Sequence, residues 1–168
     1  MLPLSEPFPR GLRNLVLNDP RDFQEFREIF SHPNEKLNSL RSLSMKTEML
    51  SFPDKVGHVV QGCPRLHKLH IEGRINKLPN HQEFSPYLAN LTLWGSRLVE
   101  DPMPILEKLP YLRVLRGWEA FIEKQMVCSE KGFPQLKSLL LRGLPNLQEW
   151  TVEADAMPSL AVDRKSVV

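Results

Sequence analysis

The sequence of 168 residues contains only two cysteines, Cys63 and Cys128, which lie far apart along the chain. Secreted repeat proteins commonly hold their terminal turns with disulfides, and two isolated cysteines do not supply such pairs. Residues 1–9 also lack the charged and apolar regions of a signal peptide. We therefore expect an intracellular protein with reduced thiols.

Long apolar runs and a strong charge imbalance are absent as well. No run approaches the roughly 20 apolar residues needed to span a bilayer. Lys and Arg total 22 and Asp and Glu total 20, which gives a formal net charge of +2. This charge is too small to indicate nucleic-acid binding. With 41% hydrophobic and 25% charged residues, the composition is typical of a folded protein of one domain.

Motifs of enzyme active sites are also missing. The sequence has no G-x-S-x-G turn, no H-E-x-x-H helix, no paired-cysteine metal motif and no G-x-x-x-x-G-K-[ST] phosphate-binding loop. His67 and His70 form an H-x-x-H pair without a third ligand at suitable spacing, so we interpret them as exposed strand histidines rather than zinc ligands. Cys128 and a distant histidine would make a nucleophile and a base only if the fold brought them together. We expect no enzymatic activity, no cofactor and no metal.

A repeated leucine pattern is the main positive feature. The motif L-x-x-L-x-L recurs at intervals of 22 to 28 residues, and a proline stands two residues before most of its first leucines. The motif begins at Leu12, Leu40, Leu66, Leu88, Leu112 and Leu136, with a broken copy at Leu160; the prolines are Pro64, Pro86, Pro110, Pro134 and Pro158. Such a period predicts a leucine-rich-repeat solenoid of the α/β class. We expect a horseshoe with short parallel strands on the concave face and irregular loops or short helices on the convex face.

The repeats are expected to form one domain over residues 1–168, with about seven irregular turns. The seventh turn opens near Leu160, but Asp163 stands where a core leucine belongs. We interpret residues 161–168 as an interrupted repeat rather than a polar cap. The chain therefore looks like a partial or truncated repeat protein.

Several local features are predicted between the strands. A helix beginning at Asp19 and ending before Pro33 has apolar residues at helical spacing, which fits convex-side packing better than a partner-binding helix. Residues 46–65 are expected to form a loose loop, and residues 105–109 a short turn of helix. The fifth strand has Gly117 at its third core position, so either Trp118 fills the core there or the turn is irregular.

Two stretches carry a family resemblance. Residues 100–110 read EDPMPILEKLP, and residues 126–150 contain MVCS, GFPQL and LPNLQEW. Both resemble the C-terminal repeats of plant intracellular immune receptors of the coiled-coil, nucleotide-binding, leucine-rich-repeat class. The resemblance is strongest over residues 66–160. It implies a cytoplasmic protein whose repeats sense pathogen effectors and restrain a nucleotide-binding module that this sequence does not contain.

The resemblance implies protein recognition as the function, with no nucleic acid and no membrane span. An alternative is the substrate-recognition repeat of an F-box-type ubiquitin ligase adaptor, which is also intracellular and built from repeats. A repeat-containing enzyme is a third class, and the missing motifs disfavour it. An F-box segment or a nucleotide-binding module elsewhere in the full protein would distinguish the first two.

The expected binding surface is the concave face, formed by strand positions between core leucines and the two residues after each strand. Eight cations and three acidic residues fall there, a balance of +5. The cations are Arg13, Arg41, Lys46, Lys68, Arg113, Arg116, Lys137 and Arg142, and the acidic residues are Asp19, Glu72 and Glu119. Trp94 and Trp118 occupy equivalent positions in neighbouring turns, and exposed tryptophan beside arginine is typical of interface hot spots. A solvated ladder of charges with the tryptophans packed into the repeat is the alternative.

Overall fold

The computed structural model describes residues 11–18, 37–46 and 56–161, and their fold is a solenoid of short parallel strands. The described elements are β1 (Asn14–Leu17), β2 (Ser42–Lys46), α1 (Val56–Gln61), β3 (Lys68–Glu72), β4 (Asn90–Trp94), α2 (Met103–Leu106), β5 (Val114–Trp118), β6 (Gln125–Cys128), β7 (Ser138–Arg142) and β8 (Glu149–Val152). The helix predicted from Asp19 lies outside the described residues. No helix in the described ranges has the length and apolar character to cross a bilayer.

Six strands form one parallel sheet in the order β1-β2-β3-β4-β5-β7. Their register aligns the predicted core positions. One inward row contains Leu15, Leu43, Leu69, Leu91, Leu115 and Leu139, and the next contains Leu17, Met45, Ile71, Leu93, Gly117 and Leu141. The leucines that open the motif from Leu40 to Leu136 are buried beneath them. The predicted leucine-rich-repeat solenoid is confirmed, because the repeat places apolar side chains in rows that pack turn upon turn.

Within the six-stranded sheet, a tight turn with proline at its second position introduces each strand from β3 onward. The first leucine of the motif donates its backbone N–H to the carbonyl three residues earlier, at 3.2 Å for Leu66 to Cys63 and 3.1 Å for Leu88 to Ser85. Leu112, Leu136 and Leu160 make the same contact. Proline suits this position because its fixed φ matches the turn and its missing N–H is not needed.

The convex side is more regular than the sequence indicated. β6 and β8 pair in parallel as a second, two-stranded sheet, with Met126 opposite Trp150. Met126 and Cys128 are buried, and the indole N–H of Trp150 donates to the Cys128 Sγ at 3.5 Å. We predicted loops or short helices here. The sequence pattern did not predict these two strands because each is only four residues long.

Two helices also differ from prediction. α1 lies inside residues 46–65, which we expected to be a loose loop. α2 begins two residues earlier and ends three residues earlier than the predicted 105–109 helix. Proline at position 104 suits the first turn of α2, since an N–H there needs no partner. Both helices are too short to give a clear helical period in the sequence.

Carboxylates on the convex side join successive repeats. Asp101 accepts backbone N–H groups from Met103 and from Val127 of β6, both at 2.9 Å. The buried Glu107 accepts the N–H of Ser129 at 2.7 Å. Desolvation raises the pKa of Asp101 despite the two hydrogen bonds, which favour its ionised form. These carboxylates satisfy N–H groups along the edge of β6 that faces away from β8.

Gly117 lies at the third core position of β5, and the side chain of Trp118 does not fill the core there. Trp118 lies on the outer face, so the interpretation that it fills the core is wrong. A Cβ at Gly117 would lie 3.1 Å from Leu141 Cδ2 and 3.2 Å from Ala120 Cβ. Neighbouring side chains therefore already fill the space, and the register of β5 continues unbroken.

In the six-stranded sheet, the residue after each of β3, β4, β5 and β7 adopts a positive φ. The values are 134° at Gly73, 64° at Gly95, 46° at Glu119 and 63° at Gly143. Glycine suits this position because a side chain there costs about 1–2 kcal/mol. Glu119 is the one residue of these four that is not glycine. The turn after β5 therefore has a more strained backbone than the neighbouring turns, while the register of β5 matches that of the other strands.

We first predict the effect of truncating the two faces of β4. Leu91→Ala should lower the free energy of unfolding by about 2–5 kcal/mol, because Leu91 is fully buried in a central strand. Thr92→Ala should change it by less than about 1 kcal/mol, because Thr92 faces outward. Leu139→Ala should fall between them, since Leu139 is half-buried at the end of the sheet. Denaturant titrations that gave equal midpoints for the Leu91 and Thr92 variants would contradict the register.

Two glycine substitutions should be destabilising for different reasons. Gly95→Ala should cost about 1–2 kcal/mol through its positive φ alone, because no atom lies within 4 Å of the added Cβ. Gly117→Ala should cost a similar amount through its contacts with Leu141 and Ala120, of which the Leu141 contact is the closer. Adding Leu141→Val should recover stability only in the Gly117 variant. Recovery in both variants, or in neither, would show that the two causes are assigned incorrectly.

Candidate functional site

The last residues of successive strands form one row across the outer face of the sheet. In register, this row contains Lys46, Glu72, Trp94, Trp118 and Arg142. We call it the aromatic row. Neighbouring members are separated by the spacing of parallel strands, about 4.8 Å. Side chains that lie about 100 residues apart in sequence are thereby brought onto one short strip.

The two tryptophans of the aromatic row stack on each other. Their ring centroids are 5.3 Å apart and their planes differ by 11°. Arg142 lies over Trp118, with its Cζ 5.8 Å from the ring centroid, in cation–π geometry. Trp94 is 48% exposed and Trp118 is 38% exposed. The tryptophans are therefore held in a fixed arrangement and are still open to solvent, contrary to the alternative that packs them into the repeat.

The other end of the aromatic row is an ion pair. Lys46 Nζ lies 3.0 Å from Glu72 Oε1, and both side chains are partly exposed. His70 Nε2 lies 3.8 Å from the other oxygen of Glu72. Glu72 therefore balances the charge of Lys46 at this end, while Arg142 stands at the tryptophan end. The charge of the row is uneven along its length.

Two further outward rows run beside the aromatic row. The middle row includes Thr92 and Arg116, and the first row includes Lys68 and Asn90. Arg116 lies two residues before Trp118 on the same face of β5. Four predicted cations thus lie on the outer face with Glu72, namely Lys46, Lys68, Arg116 and Arg142, which leaves +3.

The remaining predicted cations lie at the amino-terminal edge of the sheet, one residue before a strand. They are Arg13, Arg41, Arg113 and Lys137. The Arg41 guanidinium donates to the carbonyls of Asn38 and Leu40, at 3.0 and 3.4 Å. The predicted strip of +5 is therefore divided into a face group and an edge group, and Asp19 lies outside the described residues. The sequence pattern could not separate the groups, because it does not show which of the positions between and after the core residues lie within a strand.

The two histidines of the H-x-x-H pair, His67 and His70, make different contacts. His67 stacks on Tyr87 with ring centroids 6.0 Å apart, and its Nδ1 lies 2.8 Å from the Arg65 carbonyl oxygen. His70 faces Glu72 instead. Within residues 11–18, 37–46 and 56–161, no three His, Cys, Asp or Glu side chains are grouped to hold a metal. The Tyr87 contact was missed because Tyr87 belongs to the next repeat.

Both cysteines are buried thiols. Burial raises the pKa of Cys63 to about 12. Desolvation also raises the pKa of Cys128, and this effect exceeds the opposing hydrogen bond from Trp150. A nucleophilic cysteine needs a lowered pKa and access to substrate. The raised pKa and the burial of Cys128 do not favour it as a nucleophile.

Comparison with known proteins identifies relatives among plant resistance proteins. The chain is 39% identical over 137 residues to the probable disease resistance RPP8-like protein 4 of Arabidopsis thaliana, covering 78% of this chain and 15% of that protein. It is 41% identical over 136 residues to the disease susceptibility protein LOV1, covering 76% and 14%. It is 36% identical over 155 residues to the disease resistance protein RPH8A, covering 89% and 16%. The latter two are also from Arabidopsis thaliana.

The chain spans about 15% of the length of these curated relatives. No protein-family model matches it, and no solved structure matches it. The alignments cover 76% to 89% of this chain, and the solenoid has the strand and core arrangement of a leucine-rich repeat. The resemblance seen in the sequence is thereby confirmed: the chain belongs to the leucine-rich-repeat region of plant disease resistance proteins of the nucleotide-binding, leucine-rich-repeat class.

Proposed function

We propose that this chain is a non-enzymatic, cytoplasmic recognition domain that binds an acidic protein surface through the aromatic row. The partner is either a pathogen effector or the nucleotide-binding module of the receptor itself. The observation that carries the proposal is the exposed stack of Trp94 and Trp118 beside Arg142. The disease resistance relatives support the immune role.

The tryptophan stack has the physical properties of a binding hot spot. Tryptophan and arginine are enriched among the interface residues that contribute most to affinity. Because the rings already stack in the free protein, little side-chain entropy is lost on binding. Displacing water from two half-exposed indoles then makes a favourable, non-directional contribution to the free energy of binding. These residues are expected to control the dissociation rate.

Charge around the stack favours an acidic partner. Arg116 and Arg142 flank Trp118, whereas Glu72 is paired with Lys46. Cations at an interface mainly speed encounter and fix orientation. The edge group, one residue before each strand, should contribute less to a complex centred on the aromatic row. An F-box adaptor role is not favoured, because the relatives reported above are disease resistance and susceptibility proteins.

Binding kinetics distinguish the face group from the edge group. With the nucleotide-binding module of an RPP8-like protein as probe, Arg116→Glu should slow association and weaken its salt dependence. Arg113→Glu is the matched control, since Arg113 lies at the edge, and it should have a smaller effect. Association would be measured by surface plasmon resonance at two or more salt concentrations.

In the same experiment, Trp94→Ala and Trp118→Ala should each raise the dissociation rate by about tenfold or more. Tyr111→Ala is the control, because Tyr111 is 47% exposed but precedes β5 in the proline turn. If the tryptophan variants and Arg116→Glu leave both rates unchanged with the module and with acidic effectors, the partner binds elsewhere and the proposal fails.

A double-mutant cycle tests whether the stack is formed in the free protein. The coupling between Trp94→Ala and Trp118→Ala, measured by chemical unfolding, should be about 0.5–1.5 kcal/mol, as for other aromatic pairs. The pair Trp94→Ala and Tyr111→Ala should be additive within about 0.5 kcal/mol, because these residues share no contact. A coupling near zero for the tryptophans would show that the rings move independently in solution.

A further inference from the structure

Exposed tyrosines stand at the third position of two neighbouring proline turns. Tyr87 lies in the turn before β4, and Tyr111 lies in the turn before β5. Tyr87 is 51% exposed and Tyr111 is 47% exposed. The turn itself does not require an aromatic residue, because Arg65 and Gln135 occupy the same position in the adjacent turns. The fold therefore does not account for the two exposed rings.

The residues one position before the strands form a second line beside these turns. It contains His67, Ala89, Arg113 and Lys137. Ala89 N donates to His67 O at 2.9 Å, and Arg113 N donates to Ala89 O at 2.8 Å. Lys137 N donates to Arg113 O at 2.8 Å in the same way. Because Ala89 has only a methyl group, the line has an opening there, between neighbours whose backbones lie about 9–10 Å apart.

The turn and pre-strand positions together form what we call the edge strip, defined by its six charged or aromatic members. These are Arg65, His67, Tyr87, Tyr111, Arg113 and Lys137, and all six are exposed. The strip runs along the amino-terminal edge of the sheet, across four successive repeats of the described range 56–161. Trp118 lies five residues after Arg113 on an extended strand, so the aromatic row is about 17 Å away. A short segment bound at the strip does not reach it.

Tyr87 is held in place by two kinds of contact. Its N–H donates to Ser85 Oγ at 3.2 Å, and this buried hydroxyl donates to the Pro64 carbonyl at 3.0 Å. His67 stacks on one face of the Tyr87 ring, with the ring planes 10° apart. The backbone and ring of Tyr87 are therefore positioned before any partner binds, which reduces the entropy lost on binding.

The edge strip contains cations and no carboxylate. Arg65, Arg113 and Lys137 contribute +3, and the turn and pre-strand positions of these four repeats contain no acidic residue. The whole chain has a net charge of only +2. Glu83, which precedes the turn of Tyr87, already accepts two hydrogen bonds. Arginine and tyrosine donate hydrogen bonds that are strongest to ionised acceptors, so the strip matches carboxylates.

A protein segment fits the edge strip better than a nucleic acid does. Single-stranded nucleic acids bind by stacking bases on open aromatic faces and by many phosphate contacts. One face of Tyr87 is already covered by His67, and the strip offers three cations. An extended peptide needs fewer cations, and its alternate side chains lie about 6.6–6.8 Å apart on one side. It can therefore cross successive turns with a carboxylate near each cation.

We propose that the edge strip is a second docking site, which binds an extended acidic segment of another protein. Carboxylates of the segment pair with Arg65, Arg113 and Lys137, and one of its side chains enters the opening at Ala89. The two tyrosines donate their hydroxyl groups and pack against the segment. The site uses no residue of the aromatic row, so it goes beyond the proposed function and does not depend on it.

A synthetic peptide serves as the probe. Glutamate alternates with threonine along it, which favours an extended conformation and places the carboxylates on one side, and it carries a fluorescein label. The matched control has glutamine in place of every glutamate. Fluorescence anisotropy with the full chain at low salt should show binding of the probe and at least about tenfold weaker binding of the control. Failure of the probe to bind, or equal binding of the control, would overturn the proposal.

Two variants with the same change of net charge locate the site. Arg113→Ala introduces the side chain that Ala89 has at the equivalent position, and it should weaken binding of the probe by about fivefold or more. Arg116→Ala removes the same charge from the outer face of β5 and should change binding by less than about twofold. Equal losses in the two variants would show that the probe responds only to net charge, and the assignment would be wrong.

The tyrosine contribution is tested at Tyr111. Tyr111→Gln introduces the side chain that Gln135 has in the next turn, so the fold should be retained. It should weaken binding of the probe by about threefold or more, with an unchanged midpoint of chemical unfolding. Trp94→Ala should leave binding unchanged. Loss of binding in the Trp94 variant would assign the probe to the aromatic row and contradict a separate site.

A labelled oligouridylate tests the other class of ligand. It should bind more weakly than the acidic peptide under the same conditions. Tighter binding of the oligouridylate, weakened by Arg113→Ala and by Tyr111→Gln, would make the edge strip a nucleic-acid site and overturn the proposal.

Discussion

The parallel backbone pairing between consecutive repeats is the constraint on which the rest of this structure depends. Each strand receives hydrogen bonds from the next at the same point, as Ala89 O does from Arg113 and Val114 and as Arg113 O does from Lys137 and Ser138. This fixed register places leucine above leucine in the core. It also aligns the outward positions of the strands into rows. A side chain at one outward position therefore lies beside the side chains at the same position of the neighbouring repeats.

The aromatic row is a direct result of this alignment. Trp94 and Trp118 are ordinary surface residues when considered singly, and an isolated exposed tryptophan carries little information. The register places them side by side, and Arg142 of the following strand then lies over the outer ring. The same geometry joins Lys46 to Glu72 at the other end. An exposed strip of stacked side chains therefore arises from one position of the repeat without any insertion or specialised loop.

On the convex side and at the C-terminal end, the contacts that stabilise the backbone differ from those in the six-stranded sheet. There the backbone is stabilised by side-chain carboxylates and by the short β6–β8 pairing. Positive φ values recur at Lys131 and Asp155, and at Phe133 and Met157, so the turns after β6 and β8 repeat the same backbone shape. This repetition extends the structure up to Ala161.

The leucine and proline spacing by itself determined the strand positions, the inward rows and the turns that introduce the strands, because these features depend on residues close together in sequence. It also placed Trp94 and Trp118 at equivalent positions. Only the tertiary structure shows that no other residue has to fill the core position of Gly117, since the side chains of Ala120 and Leu141 fill the space there. Likewise, the separation of face cations from edge cations, the Lys46–Glu72 pair and the β6–β8 sheet depend on contacts between different repeats. Such contacts are set by strand register in space, which a one-dimensional pattern of residue types does not contain.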